Sequence, residues 1–149
     1  MKISRKSIYG ARAMIEIALR TEENETAWQQ ISSIARTTAI PDKFLEQILL
    51  TLKKSGLLKS RRGVDGGYAL NRPAAEITLE QLVLTLDTPM SLDQEIEDGP
   101  DGTGAVFRRM IQSAEDAAVE VLQAKTLQDL AAETRAWRQQ HDPGLEFMI

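Results

Sequence analysis

Apolar residues recur every three or four positions along most of this chain, and polar runs interrupt them at intervals. Ile8, Ala11, Ile15 and Leu19 form the first such stripe, which predicts an amphipathic helix over residues 4–20 with Ser4 as its cap. The polar run 21–26 predicts a loop. Ile31, Ile34 and Ala35 then predict a short helix over 30–37, with Gln30 a weak cap. Pro41 and Asp42 suit the first turn of the next helix, 41–55, and Gly56 ends it. This helix is expected to bury Phe44, Leu45, Ile48, Leu49 and Leu52. Its other face carries Lys43, Glu46, Gln47, Thr51, Lys53 and Lys54. A short helix, a tight turn and a second amphipathic helix make a helix-turn-helix pattern.

The period then shortens to two. The stretch SRRGVDGGYAL, residues 60–70, predicts a β-hairpin whose turn uses Gly63, Gly66 and Gly67. Tyr68 and Leu70 are expected to face back to the helices, and Pro73 stops the second strand. A hairpin after a helix-turn-helix is a wing. Thr78-Leu79-Glu80-Gln81 has the form of a capping box, opening a helix with Leu79, Leu82, Val83 and Leu86.

Periodicity is lost over 88–104, which carries Asp93, Glu95, Glu97, Asp98 and Asp101 and no basic residue, so a flexible acidic loop is expected. A long helix follows over 105–125. Phe107, Met110, Ala114, Ala117, Val121 and Ala124 run along it at coiled-coil spacing, and Ile111, Ala118 and Leu122 widen the stripe. Part of this face is assigned to a second subunit; an ordinary core helix is the alternative. Thr126 opens a last helix with Leu127, Leu130, Ala131, Thr134 and Trp137 on one side.

The fold class is therefore mainly α with a small β-hairpin wing. A winged helix-turn-helix DNA-binding domain is expected over 1–87, the acidic loop over 88–104, and a helical dimerisation region over 105–149. Phe107, Met110, Ile111, Ala114, Ala117 and Val121 are the candidate dimerisation residues.

Charge sharpens this picture. The net charge is −4, but residues 1–73 hold 13 Lys and Arg against 7 Asp and Glu, while 74–149 hold 5 against 15. A basic first half and an acidic second half suit one end that meets a polyanion and one that avoids it. Arg61 and Arg62 suit phosphates and narrow grooves, being planar and permanently charged. Lys43, Glu46 and Gln47 lie where a recognition helix meets base edges. Lys53, Lys54, Arg62 and Lys6 are better placed for phosphates. The candidate DNA-binding set is Lys6, Lys43, Phe44, Glu46, Gln47, Lys53, Arg61, Arg62 and Gly63.

Other chemistries find little support. The 149 residues contain no cysteine and one histidine, so disulfides, thiolate metal sites and cysteine nucleophiles are excluded. No nucleophile–base pair, phosphate-cradling loop or metal set is evident, and an enzyme is not expected. The chain reads as cytoplasmic, without signal peptide or membrane span.

These residues resemble a known family. The segments MKISRKSIYGARA, ISSIA, FLEQILLTLKKSGLLKSRRG, GGYALNRPAAEITL and TLQDL resemble, in order, the IscR, NsrR and CymR group of bacterial winged-helix transcriptional regulators. The resemblance implies a homodimer with long crossing helices and paired wings. It implies that Lys43, Glu46 and Gln47 face bases and that Arg62 enters the minor groove. Iron–sulfur members carry three cysteines before the long helix, where this chain has PMSLDQEIEDGPDGTG. It therefore resembles the cysteine-free members, and no cofactor is expected. Pro41-Asp42-Lys43 also departs from the smaller or hydroxyl residues of relatives, which leaves the operator sequence open.

The expected function is a homodimeric, sequence-specific DNA-binding repressor on a pseudo-palindromic duplex site. Its signal is left open between a regulatory protein partner and a small-molecule effector. The alternative is a winged-helix protein-interaction module that does not bind DNA.

Overall fold

A computed structural model describes residues 3–87 and 96–146. Helix α1 (Arg5–Glu23) starts where expected: the Ser4 hydroxyl accepts the Ser7 amide at 3.1 Å. It runs three residues past the expected end, and the Asn24 amide closes it on the Arg20 carbonyl. Its buried apolar face is Gly10, Ala13, Met14, Ile17, Ala18 and Leu19; of the expected stripe only Leu19 is buried, Ala11 and Ile15 are half-buried and Ile8 is exposed. The cause is centrality. α1 packs against α2 (Ile31–Thr38), α3 (Asp42–Lys54), α4 (Leu79–Leu86), α6 (Leu127–Gln140) and the hairpin, so most of its second half is covered. Even Ser7 and Glu16 are buried.

α2 and α3 form the helix-turn-helix. Between them Ala39 adopts a left-handed conformation with φ 55°, and Ile40 is buried. The core stripe of α3 is Leu45, Ile48, Leu49 and Leu52, all almost wholly inaccessible. Phe44 does not join it and stays 58% exposed. One residue before Leu45, it is rotated about 100° from the start of that stripe, and its ring meets Tyr9 edge-on at 6.4 Å.

Strands β1 (Leu58–Arg61) and β2 (Gly67–Leu70) pair antiparallel, with Leu58 opposite Leu70 and Arg61 opposite Gly67. Leu58 and Ala69 are the buried positions, while Tyr68 and Leu70 are half-buried against the core. The expected inward pair thus shares the task with Ala69, because the hairpin has packed atoms on both faces. Gln29 adds a bridge to the outer edge of β2 at Tyr68.

A 3-10 turn (Ala74–Glu76) leads into α4, whose Thr78–Gln81 capping box is complete in both directions. Of the expected acidic loop, residues 88–95, with Asp93 and Glu95, lie outside the described residues. The part from 96 to 104 is tethered. Arg108 donates to the Ile96 carbonyl and pairs with Asp98 at 2.6 Å, and the Gly104 amide donates to the Asp98 carbonyl at 3.2 Å.

α5 (Thr103–Ala124) is about 33 Å long. Its C-terminal end is tied to α4 by the Leu79 amide on the Lys125 carbonyl at 2.9 Å and the Leu127 amide on the Ile77 carbonyl at 2.8 Å. α6 then folds back on α1, and its Leu127 and Ala131 belong to the same core as Met14 and Leu45. The side facing α1 continues through Thr134 to Arg138. Trp137 falls outside it, 59% exposed and stacked on His141. A short helix, α7 (Pro143–Glu146), follows. Among the described residues, no helix is long and apolar enough to cross a membrane.

Candidate nucleic-acid interface

The polar face of α3 is set by exclusion. With Leu45, Ile48, Leu49 and Leu52 inward, helical periodicity turns Lys43, Glu46, Gln47 and Lys53 outward, and all four are exposed. Lys43 and Gln47 stand one turn apart and share a strip of surface. Phe44 lies between them, an exposed apolar ring in the first turn.

The wing stands beside this helix. Burial, and after it the negative charge of Glu46, push the Tyr68 phenol above its ordinary value. The wing's first strand, β1, packs directly against α3. The wing is also tied to the start of α2, where the Gln30 side chain donates to the Val64 carbonyl at 2.7 Å.

Arg61 and Arg62 have different surroundings. The Arg61 guanidinium donates to the Asp65 carbonyl at 2.7 Å and lies over the Trp28 ring. Arg62 is exposed, and among the described residues its side chain has no hydrogen bond or ion pair; the same holds for Lys43 and Lys53. Gly63, next in the turn, has φ 113° and no atom within 4 Å of where a Cβ would stand. Lys6 is exposed in the first turn of α1, where its charge helps hold the Asp87 carboxyl below its usual range.

Two groups behind this surface were missed by sequence reasoning. Arg20 uses all its donors: Nε to Glu16 at 3.0 Å, Nη1 to Gln29 and the Ser33 hydroxyl, Nη2 to the Ser33 carbonyl and the Thr37 hydroxyl. It locks α1 to α2. Trp28 is the other. One of two tryptophans, it stands between Ala27 and Gln29 just before α2, and that lone large aromatic was the available signal.

On α5 the candidate residues divide. Phe107, Met110, Ala114, Ala117 and Val121 are exposed at coiled-coil spacing, Met110 and Val121 both at 65%. Ile111 instead joins Arg108, Glu115, Ala118 and Leu122 on a neighbouring half-buried seam.

The helix pair and the hairpin packed against it define a winged helix-turn-helix, the class of fold that reads duplex DNA with a helix and a ribbon. Residues 3–133 match the family model Rrf2, described as iron-dependent transcriptional regulators, and the chain belongs to the Rrf2 family. It is 37% identical over 134 residues to the HTH-type transcriptional regulator CymR of Bacillus subtilis, covering 90% of this chain and 92% of that one. It is 31% identical over 133 residues to protein rrf2 of Nitratidesulfovibrio vulgaris, covering 87% of each. Among solved structures, CymR, the global cysteine regulator of B. subtilis, superposes with a TM-score of 0.75 at 35% identity, over 89% of this chain and 98% of that one. IscR of T. potens gives 0.73 at 28% identity, over 90% and 88%. The protein is a transcriptional regulator of this family, not an enzyme.

The family description raises iron, and the donors among the described residues do not fit it. There is no thiolate. His141 lies flat on Trp137, with Nδ1 2.8 Å from the Trp137 carbonyl oxygen. Among the described residues no three His, Asp or Glu side chains gather as a metal site would require.

Proposed function

We propose that this chain is a homodimeric, sequence-specific DNA-binding repressor that works without an iron–sulfur cluster. The observation that carries this reading is the exposed Arg62, without a side-chain partner among the described residues, on a wing whose first strand packs against α3. Helix and ribbon are suited to one duplex. Lys43, Glu46 and Gln47 would meet base edges in the major groove, with Phe44 suited to a thymine methyl. Lys6 and Lys53 would neutralise phosphates, and Arg62, with Gly63 letting the backbone come close, would enter the adjacent minor groove.

Dimerisation is assigned to the α5 seam of Phe107, Met110, Ala114, Ala117 and Val121, flanked by Ile111. An exposed apolar stripe of this length is costly in water and suits a second copy of itself. The proposed division runs between a DNA-binding part before residue 88 and a dimerising part built on α5; α6, expected in the dimerising part over 105–149, instead packs its Leu127 and Ala131 into the core of the first. Two half-sites about 34 Å apart, or a multiple, would match such a dimer. Occupancy of the site would repress by excluding other proteins, with the cytoplasm as the setting.

The test is selection of genomic fragments by the purified chain, followed by anisotropy titrations at several salt concentrations. Preference for a two-fold-related site, with affinity falling steeply as salt rises, is the expected result. Indifference to sequence would overturn it and favour a docking module. Arg62→Ala should weaken binding and reduce the salt slope by about one. A reporter carrying the selected site should rise when the protein is removed; a fall would mean activation.

A further inference from the structure

Trp28 has a part that its place in a polar loop does not reveal. Its half-buried ring receives two cations from β1: the Arg61 guanidinium carbon lies 4.9 Å from the ring centroid and the Lys59 Nζ 5.5 Å. Lys59 and Arg61 are two residues apart on a strand, so both project from one side of it. Their common neighbour on that side is the indole. The next residue, Gln29, exchanges two backbone hydrogen bonds with Tyr68, so the backbone bearing Trp28 is fixed to the hairpin from the other strand. One residue further, Gln30 holds the Val64 carbonyl in the turn. Three consecutive residues thus grip the wing at its first strand, its second strand and its tip.

Arg61 is held twice, by the ring and by the Asp65 carbonyl. Arg62 follows it, exposed and without a side-chain partner among the described residues. Arg62 is the first residue beyond β1, so holding Arg61 against Trp28 fixes the backbone from which the Arg62 side chain leaves. A planar guanidinium over an aromatic face is attracted by the ring and weakly hydrated, so the contact survives at a surface.

We propose that Trp28 is a positioning residue for DNA binding: its indole clamps Arg61 and Lys59, and thereby presents Arg62 to the duplex in one direction. Arg61 is then a clamp, and Arg62 is the contact. The benefit is pre-organisation, since a hairpin already ordered loses less freedom on binding. This rests on the DNA-binding reading above.

The experiment uses the full chain and a labelled duplex selected by the wild-type protein, titrated over a range of salt. Trp28→Leu keeps an apolar side chain and removes the aromatic face; it should weaken specific binding about tenfold. Trp28→Phe should recover most of that loss, which a merely space-filling role would not require. Adding Arg62→Ala to Trp28→Leu should cost much less than Arg62→Ala costs alone, because both act through one contact. If Trp28→Leu fails to fold, Arg61→Gln leaves the indole in place and should show the same non-additivity with Arg62→Ala. Additive losses, or Trp28→Leu binding with wild-type affinity and salt slope, overturn the clamp and leave DNA binding standing. A wild-type chain that selects no duplex overturns both.

Discussion

Gln29 and Tyr68 exchange both of their backbone hydrogen bonds, each 2.8 Å long. The bridge makes the segment before α2 a third partner of the hairpin and sets the wing against the helix-turn-helix. It also explains Gly67. That residue has φ 138°, and a Cβ there would lie 2.3 Å from the Gln29 carbonyl oxygen. Neither backbone can yield without breaking the bridge. Gly67→Ala should therefore lower stability by about 2–3 kcal/mol. Gly63→Ala meets only conformational strain, with open space around it, and should cost about 1 kcal/mol. Urea midpoints of the two variants check the order.

Glu16 is buried and divides its oxygens between two helices: Oε1 accepts from Arg20 at 3.0 Å and Oε2 from Arg138 of α6 at 2.8 Å. Through Arg20 it reaches Ser33 and Thr37 of α2. Glu16→Ala leaves a largely covered guanidinium short of its counter-charge and should cost about 3 kcal/mol. Arg138→Ala removes a half-exposed partner and should cost no more than about 1 kcal/mol. Denaturant unfolding at neutral pH distinguishes them.

Asp87 predicts an acid limb. Burial pushes its carboxyl up, but hydrogen bonds from Ser4 and the charge of Lys6 outweigh burial and hold it below its ordinary value. Asp129 is also lowered, first by its hydrogen bond from the Thr126 amide. A carboxyl with a lowered folded pKa binds protons more readily when unfolded. Its stabilisation is complete above the unfolded value, near 4, and is lost as pH falls through the folded one. Melting temperature should hold steady from neutral pH to about 5 and drop below about 4. Asp87→Asn should lower it at pH 7 and change it little at the acid end.

Met110 and Ile111 are adjacent on α5 and should respond differently. Met110 is exposed on the outer seam, and Ile111 is half-buried on its neighbour. In the proposed dimer, Met110→Glu places charges at the interface. It should shift sedimentation toward monomer and weaken operator binding at least tenfold through lost bivalence, with the helical spectrum retained. Ile111→Glu should also lower the melting temperature of the subunit itself.

Local chemistry was legible in the sequence. The Ser4 cap, the Thr78–Gln81 box and the paired strands around Gly63–Gly67 depend on residues within a few positions of one another, so spacing and residue type determined them; Pro41 marks the start of α3 too, though as the residue before its first turn and not within it. The outward turn of Lys43, Glu46 and Gln47 followed from the same periodicity. Tertiary structure decided the rest. It rotated the buried face of α1, because five elements surround that helix and a single stripe cannot serve them all. It left Phe44 outside the core, with its ring against Tyr9 of α1. It brought α6 back to α1, and it gathered Trp28 with Arg61 and Arg20 with Ser33 across gaps of many residues. Such contacts depend on where whole helices and strands come to rest, and no short-range pattern in a chain encodes that position.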